Sequence, residues 1–146
     1  MEIKGVDNMA AFARDFLRGA TEQSPEHAVV VGLYGNLGAG KTTFAQCVAR
    51  EFGITERVTS PTFVVRKSYD IISHPRFSRM VHIDAYRLNK PEDLVVLNWE
   101  EDVKDKKAII FIEWADRIAD ALPESAIKLS FTVVDEETRD ISYGKA

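Results

Sequence analysis

The sequence predicts an α/β fold in which buried parallel strands alternate with helices. Two segments, 28–34 and 108–112, are short and almost entirely apolar, as in strands covered on both faces. Between Phe44 and Phe52, apolar residues recur at helical spacing. A glycine-rich loop separates the first strand from this helix, so strand, loop and helix follow one another in the order that builds a parallel sheet.

The elements of the first third of the chain can be placed from the same patterns. An amphipathic helix is predicted from about Asp7 to Arg18, ending at Gly19. A polar connector at 21–27 then leads to the first buried strand. Gly53 is the stop signal of the helix that follows the glycine-rich loop.

The rest of the chain is predicted to be rich in strands. Segments 64–72 and 79–84 form the two arms of a hairpin, and 73–78, which contains a His-Pro pair, is its exposed tip. The second buried strand follows at 108–112. Two further strands are expected at 126–134 and 139–143.

A short helix is predicted between the hairpin and the second buried strand. Pro91 occupies a first-turn position, which suits a helix near 94–97. Asn98 is expected to end this helix in the left-handed conformation, which asparagine tolerates better than most residues.

The glycine-rich loop satisfies G-x-x-x-x-G-K-[ST], the pattern of loops that hold the phosphates of a nucleotide. Glycines let the backbone curl until several N–H groups point at phosphate oxygens. Lys41 then brings a positive charge near the β- and γ-phosphates, and Thr42 offers a hydroxyl to Mg²⁺, while the helix that begins near Lys41 directs its N-terminal dipole at the anion. The candidate nucleotide-binding residues of the loop are Gly35, Asn36, Leu37, Gly38, Ala39, Gly40, Lys41, Thr42 and Thr43.

Two acidic residues end buried strands and are candidates for the metal and the attacking water. Glu113 follows the strand that is apolar throughout, so it is the preferred Mg²⁺ ligand, with Asp84 left for the water or a moving loop. Either acid could instead cap the turn that follows it. His82 interrupts the strand before Asp84 and is interpreted as structural. Trp114 could line the site or be a buried aromatic.

A hydroxyl near the γ-phosphate is the remaining candidate for catalysis. A nucleotide hydrolase needs a segment that contacts this phosphate or its metal and releases it after hydrolysis. Thr62, within Ser-Pro-Thr at 60–62, could serve, although the same tripeptide fits an ordinary proline turn equally well. The catalytic candidates are therefore Lys41, Thr62 and Asp84, with in-line attack of water on the γ-phosphate as the mechanism.

Composition narrows the class of protein. The 146 residues, 45% of them hydrophobic, lead us to expect one domain over 1–146. The net charge of −4 argues against a protein that grips nucleic acid by itself, since such binding requires neutralised phosphates. No apolar run approaches the roughly 18 residues needed to span a bilayer, and no signal peptide is recognisable, so we expect a cytoplasmic protein.

Four motifs together resemble the bacterial TsaE family. This family is the ATPase subunit of the machinery that makes N6-threonylcarbamoyladenosine at position 37 of tRNA. The first motif is the phosphate loop; the others are Ser-Pro-Thr-Phe at 60–63, His-Ile-Asp-Ala-Tyr-Arg-Leu at 82–88 and Ile-Glu-Trp at 112–114. Leu-Pro at 122–123 and the closing Arg-x-Ile-x-x-Gly at 139–144 extend the resemblance over nearly the whole chain.

The resemblance implies a P-loop NTPase-type three-layer α/β fold, with a four-stranded parallel central sheet flanked by antiparallel strands. It implies binding of ATP and Mg²⁺, and action in a complex with the TsaB and TsaD subunits, with tRNA reached only through that complex. The phosphates would lie on 37–42 and Mg²⁺ on Thr42 and Glu113. Thr62 would belong to the first switch segment, Asp84 would lie near the γ-phosphate and Trp114 would form part of the nucleotide-site wall.

The sequence departs from the family pattern at two positions. Asn36 stands where Asp is usual, so a charge is absent at a variable loop position, and Asn98 stands where Gly is frequent. Arg87 is the nearest candidate for a cationic finger from the same chain, with a structural ion pair as the alternative.

Three other functions share parts of this pattern. A small P-loop kinase would need an arginine-bearing lid over its acceptor, and no long arginine-rich insertion is present. A GTPase would need a guanine-reading segment, and Asn-Lys-Pro-Glu at 89–92 departs from N-K-x-D at its last residue. A docking module with little hydrolysis stays open as an alternative.

Overall fold

One mixed β-sheet organises residues 1–23, 26–36, 38–58, 65–88 and 90–145, which are the residues that the computed structural model of this chain describes. The strands are β1 (Glu2–Lys4), β2 (Val29–Tyr34), β3 (Arg66–Asp70), β4 (Arg79–Asp84), β5 (Ala108–Glu113), β6 (Ile127–Val133) and β7 (Thr138–Lys145). The α-helices are α1 (Gly5–Thr21), α2 (Lys41–Glu51) and α3 (Trp99–Lys104). Short 3₁₀ segments cover Ala85–Arg87, Pro91–Leu97 and Ala115–Ala121.

The sheet has the order β1-β7-β6-β2-β5-β4-β3. Its centre is parallel, because β2 pairs in parallel with both β6 and β5, and β5 pairs in parallel with β4. Antiparallel strands flank this core: β3 pairs with β4 at one edge, and β7 and β1 extend the other. The predicted fold class, a four-stranded parallel core with antiparallel flanks, is confirmed.

The two faces of the sheet carry the two helical layers. On one face, Phe111 of β5 lies 5.9 Å from Phe44 of α2, and Phe44 lies 5.5 Å from Phe16 of α1, as ring-centroid distances. The opposite face packs Ile110 and its neighbours against the 3₁₀ segments and α3. Burial of such large apolar side chains contributes about 1.5–3 kcal/mol each, and the arrangement confirms the predicted three layers. Within the described part of the chain, no helix is long and apolar enough to cross a membrane.

The predicted hairpin and the short helix after it are confirmed, but the prediction of an exposed hairpin tip is wrong at Phe77, which is buried against Phe52. β3 and β4 pair from Arg66 opposite Ile83 to Asp70 opposite Arg79. The short helix after Pro91 is a 3₁₀ segment, and Asn98 follows it at φ 59° and ψ 33°, in the left-handed region.

The predicted boundaries of α1 are wrong at both ends. The helix begins at Gly5 and continues through Gly19 to Thr21. It continues because Arg76, from the hairpin tip, donates hydrogen bonds to the carbonyls of Ala20 and Thr21. The Ala20 carbonyl also accepts the backbone N–H of Gln23, so the last turn is stabilised both by the following backbone and by a side chain distant in the sequence.

The elements β1 and α3 were not predicted. The three residues of β1 are held by pairing with β7 at the other end of the chain. In α3, the buried carboxylate of Asp102 accepts two hydrogen bonds from Arg66 at 2.8 and 2.9 Å, and it lies 3.0 Å from Arg79. Both elements depend on partners that are remote in the sequence, so no local pattern indicates them.

Candidate functional site

The glycine-rich loop connects β2 to α2 with backbone conformations that need glycine. Gly40 lies immediately before α2 at φ 103°, which side chains rarely allow. Gly35 lies at φ 142°, and a Cβ atom there would come within 2.5 Å of the Phe131 carbonyl oxygen. The loop can therefore follow this path against β6 only with glycine at these positions.

Lys41 is the first residue of α2 and is almost fully buried, with 5% of its surface exposed. Its Nζ donates a hydrogen bond of 2.6 Å to the Gly35 carbonyl. The same ammonium lies 4.5 Å from the ring centroid of Trp114, a cation–π distance. The charge is thus held at the mouth of the loop by a carbonyl and an aromatic face.

A cavity of about 970 Å³ opens beside the loop. Its lining includes eight of the residues predicted for the site, which come from the loop, α2 and the ends of two strands. They are Gly38, Gly40, Lys41, Thr42, Thr43, Asp84, Glu113 and Trp114. Among the described loop residues, Gly35, Asn36 and Ala39 do not line the cavity; Ala39 is buried and Asn36 is exposed.

Three predicted residues cannot be placed in this way. Leu37 and Thr62 lie outside the residues that the structure describes. The backbone of Arg87 ends the first 3₁₀ segment, but its side chain is also outside the described part. Their assigned roles stay predictions.

The two acids lie side by side at the carboxyl ends of their strands. Asp84 and Glu113 are paired in the register of β4 and β5, and both are largely buried on the face that carries α2. Asp84 also caps the turn after its strand, because its Oδ1 accepts the backbone N–H of Tyr86 at 2.9 Å. Asp84 therefore both caps the turn after β4 and lines the cavity, so the two interpretations are compatible.

Glu113 has a partner that our sequence interpretation missed. The Nε2 of His82 lies 2.7 Å from the Oε2 of Glu113, and the imidazole is fully buried. A signal was available, since His82 precedes Asp84 by two residues and side chains at that spacing share a face of a strand. His82 therefore supports the site.

Trp114 adopts a conformation that is costly for an aromatic residue. It lies at φ 58° and ψ 39°, between β5 and the last 3₁₀ segment. A bulky residue in this region stores roughly 1–3 kcal/mol of strain. The conformation brings its ring into contact with Lys41 and to 5.2 Å from the ring of Tyr86.

The far side of the cavity is built from both ends of the chain. Ile3, Val6 and Met9 supply an apolar wall. Glu136, Glu137 and Arg139 come from the β6–β7 turn and the start of β7, and the Nη2 of Arg139 donates to the Gly38 carbonyl at 3.3 Å. Sequence reasoning assigned none of these residues to the site, because the long-range pairing of β7 with β6 and with β1 brings them there.

The oxygen donors at the cavity suit a nucleotide-bound Mg²⁺. Thr42 and Glu113 offer a hydroxyl and a carboxylate, and the described residues contain no group of three or more His, Cys, Asp or Glu side chains arranged to hold a metal ion by themselves. Mg²⁺ is typically held by one or two protein oxygens together with substrate phosphates and water. The donor set fits that mode of binding.

Comparison with known proteins finds relatives in sequence and a neighbour in fold. The chain is 38% identical over 117 residues to the tRNA threonylcarbamoyladenosine biosynthesis protein TsaE of Treponema pallidum, covering 80% of this chain and 82% of that protein. It is 33% identical over 115 residues to the TsaE of Bacillus subtilis, covering 78% and 68%. The crystal structure of YdiB from Bacillus subtilis superposes with a TM-score of 0.73 at 25% identity, covering 99% of this chain and 83% of YdiB.

The family model described as "Threonylcarbamoyl adenosine biosynthesis protein TsaE" matches residues 3–141. This match spans the phosphate loop, both strand-end acids and Trp114. The chain therefore belongs to the TsaE family of threonylcarbamoyl adenosine biosynthesis proteins.

Proposed function

We propose that this chain is a Mg²⁺-dependent ATPase that works as one subunit of the assembly forming N6-threonylcarbamoyladenosine at position 37 of tRNA. Family membership supports the pathway. The observation that carries the ATPase activity is the meeting of Lys41, Thr42, Asp84 and Glu113 at one cavity. Phosphoryl transfer requires a cation that binds the phosphates, oxygen ligands for a metal ion and an acidic side chain that orients the attacking water.

The triphosphate would lie on the loop and the start of α2. Lys41 would exchange the Gly35 carbonyl for phosphate oxygens, which are stronger partners for an ammonium group. Backbone N–H groups at 37–42 would hold the other oxygens, assisted by the dipole of α2.

Thr42 and Glu113 would hold Mg²⁺, which when bound neutralises charge on the phosphates. In hydrolysis a water oxygen forms a bond to the γ-phosphorus, and the bond from this phosphorus to the bridging oxygen of ADP breaks. Asp84 would orient the water and accept its proton, directly or through Thr62, so that ADP, phosphate and a proton are released.

The rest of the cavity suits the nucleoside. A triphosphate fills only part of about 970 Å³. Trp114 would wall the nucleotide on one side, and the apolar surface at Ile3, Val6 and Met9 would face the base.

TsaB and TsaD are the proposed partners, and hydrolysis is proposed to be weak without them. The net charge of −4 supports contact with tRNA only through the complex. We further propose that residues 1–146 form one ATPase domain and that it acts in the cytoplasm, where tRNA is modified.

The decisive experiment combines the chain with TsaB, TsaD and tRNA, and follows ATP hydrolysis and tRNA modification together. Glu113→Ala should reduce both by roughly 100-fold or more, because it removes a metal ligand at the reacting phosphate. Glu124→Ala, a change at an exposed acid outside the cavity lining, is the matched control and should leave both intact.

Each competing function gives a different result in the same experiment. Modification that needs neither this chain nor ATP turnover would overturn the proposal. A phosphorylated acceptor in place of inorganic phosphate would identify a kinase. Modification that needs bound ATP but tolerates Glu113→Ala would identify a docking module.

A further inference from the structure

His82 is a fully buried imidazole in the middle of β4, and packing does not account for it. Its Nε2 lies 2.7 Å from the Oε2 of Glu113, while its Nδ1 has no hydrogen-bond partner among the residues that the structure describes. A buried polar atom without a partner costs free energy, which an apolar side chain at this position would avoid. The bond to Glu113 is the feature that offsets this cost.

The contact fixes which imidazole nitrogen carries the proton. A proton at Nε2 makes a donor that faces a carboxylate oxygen. A proton only at Nδ1 would place two acceptors 2.7 Å apart and leave a buried N–H unpaired. The geometry therefore points to the Nε2–H tautomer, with Glu113 as the acceptor.

The bond crosses from one strand to the next. The Cα of His82 is paired with Phe111 of β5, and Glu113 lies two residues further along the same face. A donor anchored in β4 thus constrains a carboxylate at the end of β5. The bond engages only one of the two oxygens of Glu113.

We propose that His82 is a positioning residue, whose Nε2–H holds the Glu113 carboxylate in the orientation that ligates the Mg²⁺ of the bound nucleotide. This inference rests on the proposed function, in which Glu113 binds the metal. Partners of metal ligands fix ligand orientation in this way, and their loss typically lowers metal affinity or activity about 10–100-fold.

Three substitutions distinguish the loss of the Nε2–H donor of His82 from a change in the packing around it. His82→Gln keeps an N–H donor at the same number of bonds from Cα as Nε2, His82→Asn places it one bond too short, and His82→Leu removes it. Met80→Leu changes a buried residue on the same face of β4 and is the control for packing.

Two binding measurements on the isolated protein test the inference. Calorimetry with ADP in EDTA reports nucleotide binding without the metal, and electron paramagnetic resonance of Mn²⁺ with saturating ADP reports the metal site. His82→Leu and His82→Asn should keep ADP affinity within about twofold and weaken Mn²⁺ binding about 10–100-fold, whereas His82→Gln should stay within about threefold of the wild type. In the ¹⁵N spectrum of the metal-free wild type, Nε2 should be the proton-bearing nitrogen of His82.

The outcomes distinguish this inference from the proposed function. If the wild type does not bind Mn²⁺ together with ADP, the proposed function falls and this inference with it. If the wild type binds Mn²⁺ and a folded His82→Leu binds it equally well, only the inference is overturned. Should His82→Leu fail to fold, the pair His82→Gln and His82→Asn decides, because equal Mn²⁺ affinities in these two variants would overturn the inference. A proton on Nδ1 instead of Nε2 would also overturn it.

Discussion

Asp84 shows how one side chain serves both local structure and the site. Its Oδ1 accepts the backbone N–H of Tyr86. This hydrogen bond caps the first 3₁₀ segment, which begins directly after β4. Its carboxylate also lines the cavity beside Glu113. Because the cap needs only an oxygen acceptor whereas a general base needs a titratable group, the cap and the proposed role as a base can be separated by one substitution.

We predict that Asp84→Asn lowers partner-stimulated ATP hydrolysis by about 100-fold or more, since a positioned base typically contributes 10²–10⁴-fold. The amide oxygen can still cap Tyr86, so the melting temperature should change little. Steady-state hydrolysis in the presence of TsaB and TsaD is the measurement, with ADP affinity as a check that the nucleotide still binds. Asp70→Asn, at the exposed end of β3, is the control. Unchanged turnover in Asp84→Asn would remove this residue from the mechanism.

At the scale of elements, Asp102 joins α3 to the β3–β4 hairpin. It is 1% exposed and faces the guanidinium groups of Arg66 and Arg79, which belong to different strands. Hydrogen bonds between charged groups are stronger than neutral ones, and a bidentate contact to arginine also fixes the orientation of both groups. This acid therefore anchors a six-residue helix that has little intrinsic stability.

We predict that Asp102→Asn lowers the free energy of unfolding by about 2–3 kcal/mol, because it removes the buried counter-charge of Arg66 and leaves Arg79 with the partly exposed Asp105. Urea unfolding followed by circular dichroism measures the change. The control is Asp140→Asn, which removes an exposed pair with the N-terminal ammonium and should cost less than about 1 kcal/mol. Equal effects of the two substitutions would contradict the anchoring role.

The tip of the hairpin is held by His74 in its neutral form. The Nδ1 of His74 accepts the backbone N–H groups of Arg76 and Phe77 at 3.1 and 3.0 Å. The ring stacks on Phe77 and meets the edge of Phe52. Burial lowers the pKa of His74 below its ordinary value of 6.5. A proton at Nδ1 would abolish the acceptor on which both bonds depend.

Stability should therefore fall with pH through this residue. Because its pKa is lower in the folded than in the unfolded protein, the unfolded state binds more protons as the pH drops below about 6.5, and the contribution of His74 is lost there. We predict that the free energy of unfolding decreases between pH 7.5 and 5.5, and that the decrease is smaller in His74→Asn, whose side chain accepts similar backbone bonds without titrating. If the free energy of unfolding in urea falls equally with pH in the wild type and in His74→Asn, this prediction is wrong.

The elements that could be predicted are those whose structure depends on residues close to one another in the sequence. The order of β2, loop and α2, the β3–β4 hairpin and the left-handed Asn98 follow from residues within a few positions of one another. The end of α1 depends on Arg76, and β1 depends on β7, so their boundaries are set by contacts between distant parts of the chain. Propensity is a weak guide where tertiary contacts override it.

The same distinction applies to the site. The phosphate loop and the strand-end acids carry local signatures, so Lys41 and Glu113 could be predicted to meet at one cavity. The bond from His82 to Glu113 follows from the register of β4 and β5, which the sequence does not state. The apolar wall that includes Val6 could not be predicted, because the sequence does not show where the first residues of the chain lie.

At the scale of the whole molecule, the two ends of the chain meet to close the cavity. β1 pairs with β7, and the backbone N–H of Gly5 donates to the Glu137 carbonyl at 2.9 Å. The N-terminal ammonium also bonds to Asp140 and to the Ile141 carbonyl. A strand of three residues has little stability of its own, so β1 is expected to open locally more often than the core.

A ligand that fills the cavity should suppress this opening. We predict that saturating ADP slows amide hydrogen exchange in β1 and in the adjoining part of β7, as well as in the phosphate loop, because the bound base would contact Ile3 and Met9. The hairpin tip at 71–78, at the opposite edge of the sheet, is the internal control and should exchange as before. Exchange followed by mass spectrometry resolves these segments. Protection of the phosphate loop with unchanged exchange in β1 would mean that the nucleotide does not reach the wall built by the chain ends.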